Sequence, residues 1–280
     1  MTYTRRQFVR IVPAFGAFAM ASPVPDSLGQ GAHPADPPWP APPPARGLPV
    51  DDFFPSHHPA LVKEMVTVSH FNVARVRELL QQHPELAKAA WDWGYGDWET
   101  ALGAASHTGN RAIAELLLGR GAPPTHFSAT MLGQLDVLKS FVAASPGLQT
   151  MRGPHGLTLM VHARLGGPQA AAVVSYLESI GGADQPYRNE PLTDAERAAL
   201  AGVYTFGDRP RDSFVVNLQK SALMIARVGT VERALFHQGQ HAFHAAGGPG
   251  TTIRFERDGD RVVALTVHDP DVVVKAKKSA

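Results

Sequence analysis

The chain has 280 residues and a formal charge of +1, 26 Lys plus Arg against 25 Asp plus Glu, so no net field of either sign points to nucleic acid or an anionic membrane as its partner. A composition 44% hydrophobic and 18% charged excludes a wholly disordered chain and a polytopic membrane protein, and at this length two domains are the starting expectation. With no cysteine, disulfides, zinc–thiolate sites, iron–sulfur clusters, cysteine nucleophiles and a lipidated N-terminal cysteine are all excluded.

Residues 4–10 read TRRQFVR and are followed by the apolar run Ile11 to Ala21, which ends in the small-x-small site Ala19-Met20-Ala21. This start resembles a twin-arginine export signal, with Val9 and Arg10 as conservative replacements of the usual Leu and Lys. The resemblance implies a signal peptide at 1–21 and a periplasmic or secreted mature protein, exported after folding. The apolar run is too short to span a bilayer, so no stable membrane insertion is expected after cleavage. Loss of Arg5, Arg6 and Arg10, with no acid among residues 1–21, takes the formal charge from +1 to −2. Residues 22–50 read SPVPDSLGQGAHPADPPWPAPPPARGLPV, a Pro-rich segment without periodicity that reads as a disordered linker.

Internal repeats come next. In TALGAASHTGNRAIAELLLGRGA, residues 100–122, Thr100 opens a first helix, Ala104 and Ala105 allow close helix approach, Gly109 makes the turn, and Ile113, Leu116 and Leu117 fill a second helix before Gly121-Ala122. Residues 156–184 place Thr158, Ala163, Gly167, Tyr176, Leu177 and Gly182-Ala183 in the same order, and weaker copies lie at 127–148 and 68–86. The segment resembles a divergent ankyrin repeat protein, although no copy carries the full Thr-Pro-Leu-His opening. The resemblance implies a helical ankyrin-like solenoid over residues 51–187.

After Tyr187 the period changes. Thr193 with Glu196 is a capping box that starts a short helix. From Val203 onward residues alternate in twos, with Phe214, Val216 and Leu218 on one face, then Ile253 and Phe255, then Val263, Leu265 and Val267. Asp258-Gly259 reads as a tight hairpin turn and Gly247-Gly248-Pro249-Gly250 as a longer one. Residues 192–280 therefore predict a small antiparallel β-barrel or half-barrel, with Val216, Leu218, Leu223, Ile225, Leu235, Phe243, Phe255 and Leu265 as core candidates. Its ALAGVYTF opening and spaced apolar run are similar to the accessory domain that follows the catalytic domain in beta-lactamase-like serine hydrolases, which implies no catalytic residue. The Ser-x-x-Lys pair of such enzymes is absent, as are Gly-x-Ser-x-Gly, His-Glu-x-x-His and the glycine-rich phosphate loops.

Chemistry is therefore sought in the 13 histidines and in one unusual loop. His237, His241 and His244 crowd a turn, but His241 and His244 have opposite parity, so no metal site is expected there. His70 and His83 flank a helix and read as solvated or capping side chains. The segment WDWGYGDWE, Trp91 to Glu99, holds three of the four tryptophans with interleaved acids. Either its rings complete a core or they form an aromatic platform with acidic edges for a sugar, a cation or a peptide. Aligning Thr100 with Thr158 places Asp97 opposite His155, so Trp93, Asp97, Trp98, His107, His155 and His162 are the binding candidates, with Trp98 expected to be the buried ring and Trp93 the exposed one. No catalytic residue, metal or cofactor is assigned. Two readings stand: an exported non-catalytic protein that binds a protein partner through the repeats, or a small-ligand or carbohydrate binder, or an unrecognised hydrolase, that uses the Trp91–Glu99 loop with His107 and His155.

Overall fold

The computed structural model describes residues 52–269 and 272–279, which belong to one compact unit. The expected signal at 1–21 and linker at 22–50 lie outside the described residues.

The first part of that unit is helical. Helices α1 (Pro59–Val68) and α2 (Val73–Gln82) are followed by α3 (Ala101–His107), α4 (Arg111–Gly119), α5 (His126–Met131), α6 (Leu135–Ala144), α7 (Leu159–Leu165) and α8 (Ala171–Ile180). Their starts are set by side chains that satisfy free N–H groups of the first turn: Thr100 accepts from Gly103 N, Asn110 from Ile113 N, and Thr158 from Val161 N. Every residue of α3, with its small ALGAASH sequence, is buried, because the helix is enclosed by its neighbours. Gly109 ends it with φ +70°, and a Cβ there would lie 2.4 Å from the carbonyl oxygen of Leu165, so both conformation and space require glycine. Between α2 and α3 the chain forms a two-stranded hairpin, β1 (Ala90–Asp92) and β2 (Trp98–Thr100), with Trp91 opposite Glu99 and Asp92 opposite Trp98.

The ankyrin-like solenoid expected over 51–187 is not what these helices build. A solenoid unit touches only its neighbours around one continuous core. Here the helices enclose two separate apolar clusters, one around Met65, Leu80, Leu102 and Leu117 and the other around Leu138, Leu159, Val173 and Leu177. Helix α5 spans only Met131 back to His126, and α3 reaches past it to touch α7. The dominant element of the unit is instead a closed eight-stranded antiparallel barrel. The repeat-like order of Thr, Ala and Gly in the sequence reflects capped helix pairs, not a stacked array.

The barrel follows α9 (Asp194–Leu200), whose Thr193–Glu196 capping box forms as expected. Its strands are β3 (Gly202–Thr205), β4 (Ser213–Gln219), β5 (Ala222–Arg227), β6 (Arg233–Gly239), β7 (Ala242–Ala245), β8 (Gly248–Asp258), β9 (Arg261–Asp269) and β10 (Val272–Lys278), with β10 between β9 and β3 to close the ring. Closure replaces the half-barrel alternative. Tyr204, Phe243, Phe255, Ile225, Ile253 and Leu265 belong to one buried cluster, so the interior is packed with side chains, as eight strands permit. Of the expected core, Leu218 departs: it is 42% exposed near the end of β4. The tight turn between β8 and β9 lies at Gly259-Asp260, one residue later than expected.

The two parts meet where the β1–β2 hairpin docks on the β7–β8 turn. Tyr95, at the hairpin tip, packs against the barrel cluster. Gly247 in the β7–β8 turn has φ +81°, and a Cβ there would sit 2.4 Å from the carboxyl carbon of Asp97. This contact brings a barrel strand against the acidic side of the hairpin.

Candidate metal centre

Alternation along β2 sorts the hairpin side chains. Trp98 points outward and is 64% exposed, while Asp97 and Glu99 point inward and are 2% and 1% exposed. Three imidazoles converge on Glu99 from separate segments. His70 follows the end of α1, His107 closes α3, and His155 sits in the turn Pro154–Gly156 with a left-handed φ of 59°. Oε1 of Glu99 lies 3.1 Å from His107 Nδ1 and 3.4 Å from His155 Nε2; its Oε2 lies 3.5 Å from His70 Nε2. The indole N–H of Trp93 donates to Oε2 at 2.7 Å and fixes the carboxylate's orientation.

Two of the imidazoles are held from behind. His70 Nδ1 faces the carbonyl oxygens of Val66 and Thr67 at 3.1 and 3.0 Å, and His155 Nδ1 faces Asp97 Oδ2 at 2.7 Å. In each ring the Nδ1 hydrogen has an acceptor, which leaves Nε2 turned toward Glu99. Asp97 also accepts the backbone N–H of His155 at 2.7 Å through Oδ1, and Arg233 at the start of β6 pairs with its Oδ2 at 2.8 Å.

Buried charge of both signs shapes the electrostatics. Burial alone would raise the Glu99 carboxyl, but the closeness of the His107, His155 and His70 rings holds it far below the usual range, so it is ionised. His155 loses solvation, yet Asp97 and Glu99 lift it to about 9; His70 loses solvation too and is raised by Glu99. His162 behaves oppositely. It is fully buried, and desolvation drives it down to about 4 against the weaker pull of the Thr158 carbonyl.

One ligand atom from each of His70, Glu99, His107 and His155 lies within 4.8 Å of every other. Atoms bound to one zinc ion at about 2.0–2.2 Å and tetrahedral angles are about 3.3–3.5 Å apart. The separations from Oε1 to His107 and His155, 3.1 and 3.4 Å, and from Oε2 to His70, 3.5 Å, lie close to that range, and the longer two exceed good hydrogen-bond length. Glu99 Oε1 and His107 Nδ1 are both buried and, despite their closeness, are not aligned as a hydrogen bond, so each keeps an unused lone pair or proton. Three nitrogens and one carboxylate oxygen suit zinc, iron, manganese or nickel, and the outer acceptors on His70 and His155 are the partners that metal-bound imidazoles have.

Of the residues singled out from sequence, Trp93, Asp97, His107 and His155 come together here. His162 is adjacent, its ring 6.4 Å from that of His107, but its Nδ1 bonds the Thr158 carbonyl at 2.9 Å and it is outside the ligand set. Trp98 lies on the opposite face of the hairpin and lines a separate cleft of about 550 Å³ with Asp92, Tyr95, Arg152, Tyr187 and Asp269. The expected exposures of the two rings are thus reversed: Trp93 packs against the helical core. His237 and His244 are buried and lie against Phe243 and Phe236, while His241 is exposed. Sequence reasoning missed His70, Glu99 and Arg233. The parity of Asp97 and Glu99 pointed to Glu99; nothing local pointed to the other two. Compared with protein-family models, curated proteins and solved structures, the chain gave no match, so the reading of this site rests on its own geometry.

Proposed function

We propose that the protein binds one divalent first-row transition-metal ion through His70, Glu99, His107 and His155, in a centre built for chemistry on a small molecule. The observation that supports this is the convergence of one donor atom from each of four residues, all within 4.8 Å of one another, around a carboxylate with unused hydrogen-bonding capacity. Without thiolates, the set differs from the Cys-rich closed sites that staple folds. The side chains of His70 and His155 keep 22% and 24% of their surface, so the ion would have a face open to water or substrate. On that face a bound cation polarises a carbonyl or phosphoryl oxygen, or lowers the pKa of water enough to make hydroxide available near neutral pH. This develops the small-ligand or hydrolase reading of the Trp91–Glu99 loop. Partner binding on a concave repeat face loses its basis with the solenoid, and the barrel interior is filled.

The test is metal analysis of the purified full chain, followed by stripping with a chelator and calorimetric titration with Zn²⁺, Mn²⁺ and Fe²⁺. One ion per chain, bound in the sub-micromolar range expected for a preformed four-ligand site, supports the proposal; no stoichiometric binding of any of the three overturns it. Export is proposed alongside, from residues 4–21: Arg5→Lys with Arg6→Lys should leave the folded precursor in the cytoplasm, and unchanged export of that variant would refute the twin-arginine route.

A further inference from the structure

We infer that Arg233, contributed by the barrel, is a positioning residue for this centre, acting through Asp97 on the orientation of His155. The inference rests on the metal-binding reading of His70, Glu99, His107 and His155. Arg233 is the first residue of β6 and is only 7% exposed; its NH2 lies 2.8 Å from Asp97 Oδ2. Both oxygens of Asp97 are committed to the same imidazole residue: Oδ1 to the backbone N–H of His155 and Oδ2 to its Nδ1. Asp97 Oδ2, 2.7 Å from His155 Nδ1, can only accept, so it takes the Nδ1 hydrogen, and the guanidinium Nη1, 3.0 Å from the same Nδ1, is a second donor drawn to this carboxylate. A continuous chain therefore runs from β6 through one carboxylate to one imidazole, and it presents Nε2 to Glu99.

A simple packing role for the ion pair does not account for that arrangement. Asp97 is 2% exposed and is hemmed in by Gly247, so without the guanidinium it would be a buried anion with His155 as its remaining partner. Its carboxylate would then turn away from that place. The turn frees the His155 ring to rotate, and Nε2 would no longer be held toward Glu99 and offered to a cation. The helical half thus supplies the ligands, while the barrel supplies the charge that keeps one of them in place. That assigns the filled barrel a function: it completes the outer shell of a centre that lies outside it.

The experiment compares wild type, Arg233→Met, Arg233→Lys and Asp97→Asn as full chains, with circular dichroism to check folding. Zn²⁺ affinity is measured by competition with a chromophoric chelator, and ligand geometry by the visible absorption of the Co²⁺-loaded protein. Loss of an outer-shell partner should weaken Zn²⁺ binding by about 10–100-fold in Arg233→Met and Asp97→Asn and change the Co²⁺ spectrum, with substantial recovery in Arg233→Lys. Should Arg233→Met not fold, the nearly isosteric Asp97→Asn carries the comparison. Variants with wild-type affinity and spectrum, or a lysine variant as weak as the methionine one, would overturn the role of Arg233 and leave the metal site standing. A wild-type chain that binds neither Zn²⁺ nor Co²⁺ would overturn both.

Discussion

Inside the barrel the large buried side chains are mostly apolar, Tyr204, Phe243, Phe255 and their aliphatic neighbours with His237 stacked on Phe243, and the Tyr204 phenol is satisfied by the Leu200 carbonyl at 2.6 Å. Inside the helical half, by contrast, Glu99, His107 and His162 are buried among α1, α3 and α7, with Asp97 beside them. Burying ionised or unsatisfied polar groups costs several kcal/mol each unless they are paired, so a fold retains them only where they are offset or used. A filled barrel needs no ligand; a carboxylate ringed by three imidazoles is underused without one. The difference teaches that the more regular half serves as scaffold, and that the candidate centre lies in the less regular half where the barrel presses on it.

The comparison breaks most readily at Glu99. Glu99→Gln keeps the shape but removes the charge the imidazoles surround, and Zn²⁺ affinity should fall by at least about 100-fold in a chelator competition, more than for loss of any outer-shell group. The seam comes second. Gly109→Val and Gly247→Ala each force a side chain into positive φ and within 2.4 Å of a neighbouring atom, so urea unfolding should show losses on the order of 2–4 kcal/mol. A loss confined to the helical half for Gly247→Ala would show that the two parts unfold separately.

Acid should separate the halves next. His162 has a folded pKa near 4 against 6.5 when unfolded, so between those values the unfolded chain binds the extra proton and stability falls as pH is lowered. For the chelator-treated protein this amounts to about 2–3 kcal/mol between pH 6.5 and 4, and His162→Phe should flatten that part of the curve. The smallest effect is expected at Trp98. Its ring is 64% exposed, so Trp98→Ala should change stability by no more than about 0.5 kcal/mol and leave metal binding intact. A sharp drop in melting temperature would mean that the ring packs where the fold leaves it open.

The barrel was legible because alternation in twos leaves a direct trace: Phe214 and Val216, Ile253 and Phe255, Leu265 and Val267 all lie on the buried face, while Val263, expected with the last pair, is only half-buried between buried Val262 and Ala264. Leu218 broke the rule because β4 runs out into its turn there, where alternation no longer decides burial. Helix starts at Thr100, Thr158 and Thr193 were legible through capping. How the helix pairs stack was not, since the same capped, small-residue helices serve a solenoid or a two-cluster packing, and helix length and cross-contacts decide between them. At the site, Asp97 and His155 were paired by alignment of Thr100 with Thr158 and do meet at 2.7 Å. Trp98 was misjudged by proximity to α3, although strand parity with Asp97 and Glu99 required it to face away. His70 and Arg233 are distant in sequence, and only the docked fold brings them to Glu99 and Asp97.

The hydrogen bond from Trp93 to Glu99 gives the centre an optical readout of its own. The indole is tied at 2.7 Å to the carboxylate on which the ligands converge, and its ring centroid lies 6.3 Å from that of His155. Protonated imidazole and paramagnetic ions both quench indole emission at short range, so under the proposed metal binding, filling or emptying the centre should be recorded in the protein's intrinsic fluorescence. Trp98, open to solvent on the far face, adds a red-shifted background that does not report on the site. A Trp98→Ala chain would therefore be the cleaner sensor, in which each binding event is read by a chromophore the fold already places beside it.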